Sequence, residues 1–419
     1  MTGPLKPQNA KDVEEAIQAA IAGGRTLEIV GHGSKRTIGR AAQWDVTLDL
    51  SGLSGVTLYE PAELVLSARA GTPLAEIEAL VEANGQQLAF EPMDYGPILG
   101  TGGAGGGTIG GTLAANLSGP RRIKAGAARD HFLGFTAVSG RGETFKSGGR
   151  VVKNVTGYDL SKLLAGSWGT LAVMTDISIK VLPRPEAEET LLVFGLDGAM
   201  AARVMNLAMG SAGEVSGAAH LPEPAAKRLP QPAVRAGQAV TALRLEGVPP
   251  SIRHRRALLE GLLKSYGALG VLQPDDSRTF WRSVRDVLPF AAAATGREQP
   301  LWRISTAPLQ GPEVATRITA EADANVLYDW AGGLIWAQLP LAGVTGVTGV
   351  AAVAGVAAVR RAVAASGGYA TLIRAPAALR AALPVFEPQD QALSALIKRV
   401  KDSFDPNGVL NPGRMYAGV

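Results

Sequence analysis

Glycine placement is the strongest constraint on this chain. From Gly96 to Gly111 the sequence is dominated by glycine, and a second cluster, Gly31-His32-Gly33-Ser34-Lys35, directly follows the strand-like run Thr26–Val30. Glycine costs more conformational entropy on folding than any other residue, so such density is expected where backbone must turn sharply or approach another group closely. Backbone N–H groups in a glycine-rich turn hold phosphate oxygens, and a dinucleotide carries two phosphates. Two places qualify: Gly31 to Lys35, and Thr108-Ile109-Gly110-Gly111 on through Asn116 to Gly119. The pattern GxGxxG occurs at Gly100–Gly105 and at Gly105–Gly110, but in so glycine-rich a segment it arises by chance. A Rossmann site also needs a strand immediately before it, and Glu91-Pro92-Met93-Asp94-Tyr95-Gly96-Pro97 is no strand.

The rest of the composition narrows the class. A chain of 419 residues calls for two or three domains. Apolar residues at 46% and charged residues at 19% are ordinary for a globular protein, and a net charge of +4 gives no field suited to nucleic acid. The densest basic run, Arg253-His254-Arg255-Arg256, reads as a solvated helix face. There is no cysteine, which excludes disulfides, thiol chemistry and a thiolate-held iron–sulfur cluster in this chain. Four scattered histidines without an HExxH or HxH pattern predict no metal site. The N-terminus has no signal-like apolar core, and the apolar stretch Leu339–Val359 is interrupted by Pro340 and several glycines, so the expected location is cytoplasmic.

Along the chain, Val13, Ile17, Ala20 and Ile21 define an amphipathic helix over 9–23, stopped by Gly23-Gly24. Short strands are expected near 46–50, 56–60 and 64–70. Thr72-Pro73 reads as N-cap and first turn of a helix with a Leu74, Ile77, Leu80, Val81 stripe. Residues 96–111 read as a loop, and Pro183-Arg184-Pro185-Glu186 as a domain boundary. Residues beyond it mix strand-like runs (191–196, 239–245, 334–339) with helical ones (255–266, 356–365), an α+β pattern. Gly343–Gly349 reads as a connector. Gln391–Phe404 forms a helix with Leu393, Leu396, Ile397 and Val400 on one face.

Two further motifs carry glycine at functional spacing: Lys153-Asn154-Val155-Thr156-Gly157 through Gly166-Ser167-Trp168-Gly169-Thr170-Leu171, and Asn411-Pro412-Gly413-Arg414 near the end. Singly, each reads first as a tight turn. Their order, with Pro92-Met93 and the two phosphate loops, resembles the FAD-binding domain shared by vanillyl-alcohol oxidase and p-cresol methylhydroxylase (PCMH). That resemblance implies an α+β fold. A two-lobed PCMH-type FAD-binding domain would span 1–185, with lobes of about 1–55 and 56–185. An α+β cap would span 186–385, and a C-terminal segment, 386–419, would return to the FAD domain. It implies FAD held by Gly31, His32, Gly33, Ser34 and Lys35 at the pyrophosphate. Pro92, Met93, Thr108, Gly110, Gly111, Asn116 and Gly119 would line it, Gly166, Gly169, Thr170 and Val173 would meet the adenosine end, and Asn411 would close the site. Relatives that bind FAD covalently use a histidine where this chain has Gly33, so non-covalent FAD is expected. His32 either donates to a phosphate or is a tolerated surface substitution.

Cap segments such as Leu301-Trp302-Arg303-Ile304-Ser305 and Tyr369-Ala370-Thr371-Leu372-Ile373-Arg374 are similar to the E-subunit family of bacterial glycolate oxidases. The sister D subunits carry a histidine-rich metal or substrate motif that this chain lacks. The resemblance therefore implies a subunit that relays electrons from a sister catalytic flavoprotein, where glycolate becomes glyoxylate, to an iron–sulfur subunit. Membrane contact would come only through those partners. The alternative is a self-sufficient FAD-dependent oxidase or dehydrogenase of a 2-hydroxy acid, alditol or aldonolactone. A 2-hydroxy acid needs a cation for its carboxylate, with Arg374 the cap candidate, as against a structural ion pair. Lys153 is a candidate to stabilise reduced flavin, as against a surface lysine. The apolar 334–359 stretch is a candidate docking face.

Overall fold

The computed structural model describes residues 3–101, 106–150, 157–231, 234, 237–296, 298–340 and 350–419. Lys153 and the Gly343–Gly349 run lie outside them. The first helix forms over Ala10–Ala22 because its stripe has somewhere to go: Val13, Ile17 and Ala20 are buried, and the Asn9 side chain accepts from the Asp12 N–H as N-cap. It packs near a parallel pair, β1 (Leu27–Val30) and β2 (Val46–Asp49). The far end of the chain joins this pair. The Leu27 N–H donates to the Val409 carbonyl at 2.8 Å, and the Asn411 N–H donates to the Leu27 carbonyl at 2.9 Å.

That return is held by one buried ion pair. In the helix Gln391–Phe404, Lys401 Nζ contacts Asp405 Oδ2 at 2.6 Å, with the side chains 3% and 0% exposed. Lys401 also donates to the carbonyls of Thr170 (2.6 Å) and Leu410 (2.9 Å), while Asp405 accepts from the N–H groups of Val409 and Leu410. Every donor and acceptor of the pair is thus engaged, which is the condition for a buried pair to be tolerated.

The second sheet uses β3 (Val56–Glu60), β4 (Val65–Arg69), β6 (Phe132–Ser139), β7 (Thr144–Gly148) and β8 (Ala172–Lys180), all antiparallel in the order β3-β4-β8-β6-β7. A two-residue ribbon pairs β5 (Gln86–Gln87) with β9 (Leu182–Pro183). The helix over Leu74–Ala83 covers this sheet with Leu74, Ile77 and Val81. Thr72 is not its N-cap. Pro73 holds that position, and the Thr72 hydroxyl instead accepts from the Gly55 N–H and donates to the Arg69 carbonyl, closing the β3–β4 corner. The glycine-rich region is likewise not all loop. Pro97 preorganises a single turn over Gly96–Leu99, which Gly100 ends in the left-handed region at φ +64°.

An eight-stranded antiparallel sheet follows: β10 (Ala187–Phe194), β11 (Gly217–Leu221), β12 (Val240–Gly247), β13 (Leu269–Leu272), β14 (Leu301–Ser305), β15 (Asn325–Asp329), β16 (Leu334–Gln338) and β17 (Tyr369–Arg374), in the order β13-β10-β12-β11-β15-β16-β14-β17. One face packs on helices through Trp302, Ile304, Ile335 and Leu372. The other meets Met93, Tyr95, Ile98 and Leu117, in and beside the glycine-rich region. Charge locks the same junction. Glu91 sits in the left-handed region at φ +48° between Arg121 and Arg244, with Arg244 Nη1 at 2.7 Å. Burial alone would raise the Glu91 carboxyl, but the two guanidinium groups outweigh it and hold it at about 2.

Two surface readings change. In the Arg253–Arg256 run, Arg255 is buried against the Glu246 carbonyl and Ser251, and Arg256 pairs with Glu189, because this helix face lies on the sheet. The docking candidate at 334–359 begins with β16, all five residues of which are buried inside the sheet, so that part presents no outer face. No helix among the described residues is long and apolar enough to cross a membrane.

Candidate functional site

The turn after β1 faces the helix Ile109–Ala114, and neither has room for a side chain at its closest glycine. A Cβ on Gly31 would stand 2.5 Å from Thr108 Oγ1, and one on Gly110 would stand 2.7 Å from the Ala70 carbonyl oxygen. Thr108 caps this helix by accepting from the Gly111 N–H at 3.2 Å. Between turn and helix lies a cleft of about 710 Å³. Gly31, His32, Gly33, Ser34 and Lys35 line one wall, Thr108, Gly110 and Gly111 the second, Gly169 and Val173 the third. These are ten of the seventeen residues expected from sequence to hold a dinucleotide, and the fold brings them to one cleft.

Two cations meet here. Lys35 Nζ lies 3.1 Å from Ser34 Oγ and near the Gly107 and Gly111 backbone. Burial lowers its pKa to about 8, with Asp94 raising it and Arg414 lowering it further. Arg414, from the C-terminal segment, is 4% exposed and donates from Nη2 to the Lys35 carbonyl at 3.0 Å. Its buried Nε has no hydrogen-bond partner among the described residues, and burial lowers its pKa to about 10. Two desolvated cations beside glycine backbone fit the diphosphate of a dinucleotide. Arg414 was not singled out in the sequence, though it directly follows the Asn-Pro-Gly motif. Asn411 braces the cleft instead of lining it: its side chain accepts from the Ile29 N–H (2.9 Å) and donates to the Trp168 carbonyl (2.8 Å).

A second cleft of about 1370 Å³ opens on the other side of Trp168, which lines both. Met93, Asn116 and Gly166 lie in it, together with Arg122 and the cap residues Arg303 and Tyr369. Asn116 adopts φ +49°, and its side chain accepts from the Arg129 N–H. The remaining expected residues stand apart. Pro92 faces a third cleft with Glu91 and Arg121. Gly119 packs its backbone on Glu91, where a Cβ would meet the carbonyl at 2.6 Å. Thr170 is buried, its hydroxyl donating to the Ser167 carbonyl.

Arg374 also stands outside both clefts. The β14–β17 register shifts between Leu301 and Trp302, which sets Arg374 opposite Leu301 at the end of the sheet. There it donates to the carbonyls of Ile98 (2.6 Å), Phe290 (2.9 Å) and Gln299 (3.0 Å), fastening the Gly96–Leu99 turn to the cap.

Lys35 yields a pH prediction. A diphosphate favours the protonated amine, so above pH 8 the complex must take up a proton to form. The FAD dissociation constant is expected to rise with pH above about 8 and the rise to disappear in Lys35→Met, as read by fluorescence titration. For the cofactor-free fold the sign is opposite. The folded pKa is below the ordinary 10.5, so the unfolded chain binds more protons between about 8 and 10.5, and Lys35 makes stability rise with pH across that window.

Comparison with known proteins bears on the fold and the cofactor. A family described as "FAD binding domain" matches residues 3–148, and "FAD linked oxidases, C-terminal domain" matches residues 385–415. The chain is 34% identical to glycolate oxidase subunit GlcE of Escherichia coli over 405 residues, 96% of each chain. It is 25% identical to glycolate oxidase subunit GlcD of Bacillus subtilis over 74% of this chain and 68% of that one. Among solved structures, p-cresol methylhydroxylase superposes with a TM-score of 0.73 at 12% identity, covering 98% of this chain and 87% of the other. Alkyldihydroxyacetonephosphate synthase superposes at 0.68 and 16% identity, covering 97% and 76%. The fold is therefore PCMH-type, with FAD the cofactor.

Proposed function

Since this chain belongs to the family of glycolate oxidase GlcE subunits, FAD-dependent oxidoreductases, we propose that it is the flavin-bearing relay subunit of a glycolate-oxidising complex. In that reading it takes electrons from a sister catalytic flavoprotein and passes them to an iron–sulfur subunit. One observation carries the reading: a glycine-lined cleft bearing Lys35 and Arg414 stands in a chain of an FAD-binding family with no cysteine to hold the next centre. Bound FAD supplies hydride acceptance and electron transfer. The chain's own residues supply position and charge. Lys35 and Arg414 neutralise the diphosphate, Gly31, Gly110 and Gly169 let backbone approach, and Trp168 divides the two clefts.

The FAD is held without a covalent bond in this reading. Gly33 occupies the linking position at φ +71°, in the left-handed region that disfavours a histidine there. Acid precipitation is expected to leave the flavin in the supernatant. Anaerobic mixing of the isolated chain with glycolate tests the relay: the flavin should stay oxidised until the sister subunit is added. A second reading, in which the chain oxidises a 2-hydroxy acid itself, is favoured by the two arginines of the second cleft. Rapid bleaching by glycolate alone would establish it. Purification from the native host without a cluster-bearing companion would overturn the complex.

A further inference from the structure

The cap wall of the second cleft is built from strand pairing. Arg303 on β14 stands opposite Thr371 on β17, and Ser305 opposite Tyr369. Alternation along each strand therefore sends Arg303, Ser305, Tyr369 and Thr371 to one face. Arg303, Tyr369 and Thr371 line the cleft there, with Met93 and Asn116 across from them. Arg122 reaches the same place from the FAD-binding side. Both guanidinium groups lie on the ring of Trp330, Arg122 at 4.3 Å and Arg303 at 5.0 Å from its centroid. The ring is itself buried, and its Nε1 donates to the Gly119 carbonyl.

Among the described residues neither arginine has an ion pair with a carboxylate, whereas the third cleft nearby pairs Arg121, Arg244 and Arg285 with Glu91, Glu246 and Asp286. Burial lowers the pKa of the Arg122 guanidinium, with Tyr369 opposing the fall and the charge of Arg303 adding to it. Tyr369 responds to both charges. Burial raises its phenol, but the charge of Arg303, hydrogen bonding with Ser305 and Arg303, and the charge of Arg122 outweigh it and hold the phenol below its usual value. The corner is positive and partly desolvated, and the two carboxylates that line the same cleft are engaged elsewhere, Glu387 by Arg360 and Asp390 by the Leu393 N–H.

We propose that Arg122, Arg303 and Tyr369 form a binding site for the carboxylate of a small 2-hydroxy or 2-oxo acid, on the cap side of the cleft that Met93, Asn116 and Gly166 share. The planar guanidinium forks match a carboxylate, and the Tyr369 hydroxyl adds a donor at its edge. This assigns to Arg122 and Arg303 the role that Arg374 cannot take, since its guanidinium is engaged by backbone carbonyls. The site rests on the reading that FAD fills the adjoining cleft. It concerns binding and holds whether or not the bound acid is oxidised.

The test titrates the FAD-loaded full chain with oxalate, glycolamide and inorganic phosphate, following flavin absorbance and tryptophan fluorescence. Oxalate should perturb both signals saturably. Glycolamide, the neutral counterpart of glycolate, should not, and phosphate should bind more weakly than oxalate. Arg303→Met should weaken oxalate binding by about 10- to 100-fold, the loss of a charge-assisted contact, at unchanged FAD content. Should Arg303→Met fail to retain FAD, Tyr369→Phe decides, since Tyr369 is 46% exposed and its hydroxyl can be removed without a buried cavity. Equal binding of glycolamide or phosphate, or oxalate affinity unchanged in the deciding variant, would overturn the site. A wild-type chain that takes up no FAD would overturn the cofactor reading instead, while a yellow protein indifferent to oxalate sinks the carboxylate site alone.

Discussion

Gly110→Val is expected to yield a folded protein that purifies with little or no flavin. The first side-chain atom would stand 2.7 Å from the Ala70 carbonyl oxygen and 2.9 Å from Ala70 Cβ, and both belong to the segment that connects β4 to the following helix. Backbone cannot yield as a flexible side chain would, so the helix Ile109–Ala114 must shift. The same displacement moves Thr108, whose hydroxyl a Gly31 Cβ would meet at 2.5 Å, and so disturbs both walls of the cleft at once. Overpacking of this kind costs about 1–3 kcal/mol in stability, survivable in a chain of this size, while a ligand held against the moved backbone loses several contacts together. The expected readout is an FAD affinity weakened by more than about tenfold, roughly 1.4 kcal/mol or more, with near-native far-UV circular dichroism. Wild-type flavin content in Gly110→Val would show that this helix does not touch the cofactor.

Lys401→Met is expected to destabilise the chain by about 3–5 kcal/mol, because it leaves Asp405 buried without its counter-charge. The Thr170 and Leu410 carbonyls lose a donor at the same time. The effect should be larger than stability alone suggests. This pair fixes the return of the C-terminal segment, which carries Asn411 and Arg414 to the first cleft. Thermal unfolding of the apo and FAD-loaded forms measures both consequences. The variant should unfold at a lower temperature, and added FAD should stabilise it less than it stabilises the wild type. The double change Lys401→Met with Asp405→Leu should recover much of the loss, since removing both charges removes the desolvation cost. If Lys401→Met unfolds at the wild-type temperature, the pair does not hold this segment.

Local chemistry made part of the site legible. A glycine where backbone must come within a Cβ's reach of another chain segment is visible one residue at a time, so Gly31, Gly110, Gly111 and Gly169 stood out in order along the chain. Helices with strong apolar spacing, such as Ala10–Ala22, were legible for the same reason. Thr72 was misread because a hydroxyl before proline can cap a helix or close a corner, and only the position of Gly55 decides between them.

What the amino-acid sequence determined by itself was therefore the cofactor class and the places where phosphate could be held. The places follow from short runs of backbone-permissive residues, and the cofactor class from the order of those runs, which resembles that of PCMH-type FAD-binding domains. What only the tertiary structure decided was which cations serve the clefts. Arg414 reaches the first cleft from the chain's far end, through Leu27 and Asn411 pairing. Arg374 is held by the carbonyls of Ile98, Phe290 and Gln299, and Arg122 and Arg303 meet on Trp330 although they lie far apart in the chain. A charge acts through distance in space, which depends on every strand register and domain contact between two residues, and no local run of sequence contains that information.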